Sequence, residues 1–365
     1  MTHPGRARAS KARRRAGVLG AALGIAAAGV AAGIAAERAV VRRTKRGTAD
    51  PYADEPFGSQ PFDESRMIEA PDGTDLYVEV VAGEPTARTP AAPTIVFVHG
   101  FCLDMGTFYF QRKLLAARGG RRLVFYDQPG HGRSGRLESG EYELPALGES
   151  LRAVLDQIVP TGKVILVGHS MGGMTVMAFA ELYPEYFEDR VAGVVLIATS
   201  GGALEQAKMG LPALIARAGG PLLPLLGGAA RFTGSALDRA RQASSDLAWL
   251  LTRRYGFGTH RPSPALVTFV EQMNGHTTTD TVARYLRTLY THARYPALVA
   301  LRDTPTLVIV GDQDLITPLA HSQEIVKYLP EAEFVVVPNS GHVVMLEHAG
   351  EVNAALADFL EKVEG

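Results

Sequence analysis

The 365-residue chain balances 37 Lys and Arg against 38 Asp and Glu, and this net charge of -1 gives no reason to expect a nucleic-acid partner. Apolar residues make up 46% and charged residues 21%, which excludes global disorder and allows a large buried core in one domain with an insertion or in two small domains. Cys102 is the only cysteine, so an intramolecular disulfide and a cysteine-rich metal site are both excluded.

The chain opens on a basic cluster, Arg6 to Arg15, and then runs from Ala16 to Ala36 without a charged or strongly polar side chain. About 21 residues at 1.5 Å each just cover a bilayer core of ~30 Å. The run is mostly Ala and Gly, so its insertion free energy is marginal. The expectation is an uncleaved, single-pass N-terminal membrane anchor over residues 16–36, giving membrane association. A cleaved signal peptide, with a secreted product, and a soluble Ala-rich helix are the alternatives. Ile34-Ala35-Ala36 is a poor cleavage site, and the residues after Arg14-Arg15 fit a twin-arginine signal weakly. Both flanks are basic, which leaves the orientation open.

With residues 1–47 taken as basic terminus and anchor, residues 48–64, rich in Pro, Asp and Gly, read as a linker, and the globular domain is expected over 65–365. Met67–Ala70 and Leu76–Val80 flank an Asp72-Gly73 turn and read as paired strands. Short continuous apolar runs then alternate with helical patterns. Strands are expected at 94–98, 123–126, 164–167, 191–197, 306–310 and 334–337, and helices at 109–118, 149–159 and 171–182. Such alternation means a mostly parallel sheet flanked by helices, the α/β class. It is interrupted between about 201 and 303 by helical sequence without a clear strand, which is expected to project as a helical cap.

Gly168-His169-Ser170-Met171-Gly172 follows one buried strand and opens a helix. A serine on so tight a strand-to-helix turn has strained backbone angles and exposes its hydroxyl, and only small residues two places either side avoid clashes. Serine needs a general base and an acid to orient that base. The loop after strand 306–310 offers Asp312 and Asp314, and the loop after 334–337 offers His342; the chain order Ser, acid, His is the one this arrangement uses. Asp314 is preferred, because it lies deeper in its loop, while Asp312 can cap the local turn. His99-Gly100-Phe101 follows strand 94–98, and a sharp turn at Gly100 would aim the Phe101 amide at the substrate oxygen. With the Met171 amide it would form an oxyanion hole.

On these motifs, together with Asp127-Gln128-Pro129-Gly130-His131-Gly132-Arg133-Ser134, the chain from about Ser65 to Val363 resembles the α/β-hydrolase superfamily, and most of all its esterase, lipase and haloperoxidase-like members. The resemblance implies an α/β-hydrolase fold with a helical cap, and it implies that the 127–134 loop shapes the rim of the site without catalysing. Relatives with epoxide hydrolase or dehalogenase activity carry an aspartate where Ser170 stands, which disfavours those reactions. The expected activity is hydrolysis of an ester-like acyl bond in a small-molecule acyl substrate, through an acyl-Ser170 intermediate, with no metal or organic cofactor required. Leu211, Leu214, Ile215, Leu222, Leu223, Leu225 and Leu226 in the cap suggest a hydrophobic acyl group. A perhydrolase, thioesterase or peptidase with the same three residues is the enzymatic alternative. A non-catalytic ligand-binding protein, or a membrane-assembly protein with a vestigial hydrolase domain, is the alternative of another class.

The remaining candidates have plainer readings. His99, His169 and His131 are expected to hydrogen-bond locally, and Cys102 to be a small, partly buried thiol. His260, His276, His292, His321 and His348 lack metal-ligand spacing and read as surface or cap residues. Met105, Phe108, Phe110, Met209, Phe232, Trp249 and Phe257 divide between core and substrate pocket.

Overall fold

The computed structural model describes residues 50–83, 92–202, 204 and 245–364. The segment 16–36 and the apolar cap residues between 205 and 244 lie outside the described residues. Among the described residues no helix is long and apolar enough to cross a membrane.

Eight strands form one sheet: β1 (Glu64–Glu69), β2 (Asp75–Val81), β3 (Thr94–Val98), β4 (Leu123–Tyr126), β5 (Val164–His169), β6 (Val191–Ile197), β7 (Thr306–Gly311) and β8 (Glu333–Val337). Their order is β1-β2-β4-β3-β5-β6-β7-β8. β1 pairs antiparallel with β2, and β2 with β4. From β4 through β3 to β8 every pair is parallel. The continuous apolar runs are the central strands; all of β4, β5 and β7 is buried, as strands covered by helices on both faces must be.

The covering helices are α1 (Tyr109–Arg118), α2 (Leu144–Ile158), α3 (Met171–Leu182), α4 (Glu185–Asp189), α8 (Leu319–Tyr328), α9 (Val344–Glu347) and α10 (Ala349–Glu364); a 3₁₀ turn, Met105–Phe108, precedes α1. α2 begins at Leu144, five residues before the sequence reading put it, because Pro145 sits in the first turn, where its missing N–H costs nothing. α3 is buried on every side from Met171 to Ala180, so the elbow that feeds it is held rigidly against the sheet. Between β6 and β7 the described part of the insertion is helical: α5 (Ser245–Gly256), α6 (Pro264–His276), α7 (Thr279–Thr291) and the 3₁₀ stretch Tyr295–Leu301. A single antiparallel bridge, Gly202 to Ala293, joins its two ends at the sheet.

Residues 50–63, read from sequence as linker, instead pack on the body of the protein. Asp50 accepts hydrogen bonds from the Ser263 hydroxyl (2.5 Å) and the Ala265 amide (2.8 Å) at the start of α6. Phe57 stacks on Phe269 of α6 at 4.6 Å. Glu55 accepts from Lys113 and from the Tyr109 hydroxyl on α1. The Pro, Asp and Gly content that suggested a linker describes a strap with little regular structure and well-placed side chains. Beside it lies a cavity of about 470 Å³, whose walls include Phe57, Asp104, Arg133, Phe269 and Met273 but none of Ser170, Asp314 or His342.

The apolar candidates outside the strap are mostly core. Met105, Phe108, Trp249 and Phe257 are buried, while Phe110 packs against Tyr52 and Phe57. Met209 and Phe232 lie outside the described residues.

Candidate active site

Ser170 sits at the junction of β5 and α3 with φ +52° and ψ −117°, a left-handed conformation that costs a non-glycine residue of order 1–3 kcal/mol. The surroundings enforce it. The Ser170 amide donates to Ile197 O of β6 at 2.9 Å, and the Ser170 carbonyl accepts from the Thr199 hydroxyl at 2.6 Å. The flanking glycines are dictated by close approach. A Cβ on Gly172 would lie 1.9 Å from Val98 O, and one on Gly168 would lie 2.7 Å from Gly172 O. Gly100 heads the expected sharp turn, its carbonyl accepting from the Leu103 amide at 3.2 Å, and it is also confined as tightly as the elbow glycines. A Cβ there would fall 2.7 Å from His169 Nδ1 and 3.1 Å from Ser170 Cβ. The residue is glycine because the elbow passes directly over it.

The three side chains selected from sequence stand in one line. His342 Nε2 lies 2.9 Å from Ser170 Oγ, and His342 Nδ1 lies 2.8 Å from Asp314 Oδ2. All three residues are buried. Asp314 is fixed by four donors. Its Oδ1 accepts from the Ile316 and Thr317 amides at 2.8 and 2.9 Å, and its Oδ2 accepts from the Thr317 hydroxyl at 2.9 Å and from His342. With both oxygens facing donors, Asp314 is an acceptor only, and His342 must carry its proton on Nδ1. That leaves Nε2 bare towards the serine hydroxyl, the protonation pattern a general base requires. Asp312 stands apart from this line; its amide closes a loop bond to Val337 O at 3.0 Å.

Two positioning groups, Thr317 and Glu347, were not legible in the sequence, and the distant partner of a third, His169, was not either. The single Thr317 hydroxyl proton is shared between Asp314 Oδ2 at 2.9 Å and Ala198 O at 2.8 Å. Glu347 on α9 accepts from the Gly341 amide at 2.6 Å and from the Gly258 and Thr259 amides, so one carboxylate holds the His342 loop against the returning end of α5. His169 donates from Nε2 to the His342 carbonyl at 3.0 Å. Thr317 and Glu347 stand in no motif, and the carbonyl His169 bonds lies 173 residues away.

Phe101 follows β3, and Met171 opens α3. His99 is locally satisfied, as expected: Nε2 accepts from the Gln128 amide at 2.8 Å, Nδ1 donates to Gly100 O at 2.8 Å, and burial pushes its pKa down to about 3. His292 lies within the insertion, as its reading as a surface or cap residue allowed. It is buried at the root of the insertion, and burial pushes its pKa down to about 4. Leu137, Tyr142, Met171, Met174, Tyr285 and Leu289 belong to an apolar cluster on which Phe101 packs. Among the described residues no group of three or more His, Cys, Asp or Glu is arranged to hold a metal ion.

The family model described as alpha/beta hydrolase fold matches residues 93–349. The chain belongs to that family. Among its relatives it is 32% identical over 279 residues to the dihydrolipoyllysine-residue acetyltransferase component of an acetoin cleaving system in Pseudomonas putida. That match covers 73% of this chain and 63% of the relative, so the chain spans less than two thirds of that protein. It is 28% identical to an sn-1-specific diacylglycerol lipase of Mus musculus, over 73% of this chain and 81% of the relative. Identity is also 28% to a non-heme haloperoxidase of Rhodococcus erythropolis, over 81% and 99% of the two chains. Of the solved structures, a thermophilic esterase from Thermogutta terrifontis superposes with a TM-score of 0.64 at 25% identity, covering 83% of this chain and all of the other. The proteins to which this α/β-hydrolase is similar therefore span several chemistries.

Proposed function

We propose that the protein is a serine hydrolase that cleaves an ester-like acyl bond of an apolar small-molecule or lipid substrate. The observation that carries this reading is the unbroken hydrogen-bonded line from Ser170 Oγ through His342 to Asp314, built on a strained elbow and satisfied at every atom of the acid. Ser170 Oγ attacks the substrate carbonyl carbon as its proton passes to His342 Nε2. The carbonyl oxygen takes up the negative charge between the Phe101 and Met171 amides, and Asp314 stabilises the imidazolium. Collapse of the tetrahedral species breaks the bond to the leaving oxygen, which takes the proton from His342, and the acyl group remains on Ser170. Water then repeats the sequence, losing a proton to His342, and releases the carboxylic acid.

The esterase and diacylglycerol lipase relatives support an ester as substrate, and the apolar cluster under Phe101 supports an apolar acyl chain. The same reading takes the uncharged run 16–36 as a tether that holds the enzyme at a lipid surface. Stopped-flow hydrolysis of a p-nitrophenyl ester tests the proposal. A burst of p-nitrophenol stoichiometric with the full-length chain, and an acid-quenched protein heavier by one acyl group on Ser170, are expected. Turnover that persists undiminished in Ser170→Ala would refute it.

A further inference from the structure

The 127–134 loop makes more contact with the oxyanion loop than a rim would. Asp127 Oδ1 accepts from the Met105 amide at 2.9 Å, and the Gln128 side-chain nitrogen donates to His99 O at 2.6 Å. His131 lies at the centre. Its Nε2 accepts from the Cys102 amide at 3.1 Å, one residue beyond Phe101, and Cys102 is held at φ +59°. Its Nδ1 donates to Pro129 O at 3.0 Å. The same carbonyl accepts from the Tyr285 hydroxyl, also at 3.0 Å, and Tyr285 belongs to α7 of the inserted helices. The rings complete the contact: Phe101 lies edge-on to His131 at 6.0 Å and to Tyr285 at 6.2 Å, and His131 packs on Tyr285 at 5.6 Å. α7 packs closely on this loop: a Cβ on Gly130 would meet Thr281 Cγ2 at 2.8 Å.

We propose that His131 is a positioning residue for the oxyanion hole, and that through it the α7 helix of the cap sets the aim of the Phe101 amide. The inference rests on the serine-hydrolase reading above. An imidazole that accepts from the Cys102 amide fixes the left-handed turn immediately after Phe101, and so fixes the peptide whose N–H is to meet the oxyanion. Burial holds His131 neutral, with its pKa pushed down to about 4, so the acceptor is present throughout the neutral range. The ring also bridges to Tyr285, so a displacement of α7 by bound substrate, or its absence, reaches the oxyanion hole through one side chain. Cap closure over a correct acyl group would then complete the site for the transition state and not merely cover it.

The test compares an oxoester with its thionoester, whose larger and weaker acceptor profits little from an oxyanion hole, in the full-length protein. His131→Leu is expected to lower kcat for the oxoester roughly tenfold to a hundredfold, with KM within about threefold, because displacement of one donor is felt in the transition state alone. Its oxoester-over-thionoester preference should shrink by a similar factor. His131→Gln, which keeps an acceptor, should recover most of both. A loss that is equal for the two esters, or no loss, overturns the inference. Should His131→Leu fail to fold, Tyr285→Phe deletes only the hydroxyl to Pro129 O and is expected to move the same ratio by a few-fold; an unmoved ratio overturns the link to the cap. Failure of the wild-type chain to turn over any ester, or to acylate Ser170, would instead overturn the serine-hydrolase reading, and this inference with it.

Discussion

Replacing Asp314 by asparagine tests the proposed mechanism at its most constrained atom pair. Oδ1 of Asp314 receives two backbone amides, so the amide oxygen of an asparagine must stay there. The new NH2 group is then forced to face His342 Nδ1, at the 2.8 Å now spanned by the carboxylate bond. Two donors cannot share that contact. His342 must move its proton to Nε2, which presents an N–H to Ser170 Oγ and removes the base. A wrong tautomer of this kind costs on the order of 10⁴ in kcat, or about 5 kcal/mol of transition-state stabilisation. The substitution is isosteric and removes a buried charge, so the fold is expected to survive. The assay is kcat for a p-nitrophenyl ester between pH 6 and 9, alongside thermal unfolding. A folded Asp314→Asn enzyme within tenfold of wild type would refute the tautomer argument. Asp312→Asn is the control and is expected to stay within about threefold of wild type.

Other outcomes follow from the packing and the buried charges. Glu79 and Arg112 form a buried pair at 2.6 Å, with the guanidinium also donating to Pro61 O and lying over Phe125; Glu79→Ala leaves the cation unpaired and should lower the urea-unfolding free energy by about 3–5 kcal/mol. Gly172→Ala drives a methyl into Val98 O, and the soluble yield of the variant should collapse, whereas a normally stable, active protein would contradict the close approach. Phe57→Ala unstacks the strap from α6 and should cost about 1–2 kcal/mol in the same unfolding assay, while a true linker would show no change. Burial depresses the pKa of His99, His131 and His292 in the folded state, so below about pH 6.5 the unfolded chain takes up protons that the folded chain refuses, and these groups withdraw stability as pH falls towards 4. Asp127, raised to about 7 by burial, works in the opposite direction and loses stability as pH rises through that range. His131→Gln should therefore make unfolding free energy less sensitive to pH between 4.5 and 6, by about 1 kcal/mol per pH unit.

The parts of the molecule that could be read from sequence are those in which one physical rule dominates. β5 and β7 are covered on both faces, so they appear as unbroken apolar runs, and the elbow is confined so tightly that Gly168 and Gly172 leave a pattern. The choice of Asp314 over Asp312 followed from loop depth alone and agrees with the hydrogen bonds. Strand order was not readable, because β2 meets β4 and not β3, a choice made by long-range packing. The strap was missed because its anchors, Asp50, Glu55 and Phe57, bind surfaces more than 50 residues away and have no local periodicity. Gly100 was only half read for a related reason: it heads the expected turn, but the close approach of His169 from a distant segment leaves no further mark in the sequence. His131 shows the limit most clearly, since the amide it accepts, Cys102, and the ring it touches, Tyr285, lie on separate segments.

The most direct test of the central claim is reaction of the full-length chain with a fluorophosphonate, followed by peptide mass mapping. The account requires one adduct, on Ser170, that forms at neutral pH and disappears in His342→Ala while the protein remains folded. An adduct elsewhere, or labelling of Ser170 that is indifferent to His342, would contradict an activated serine at this site.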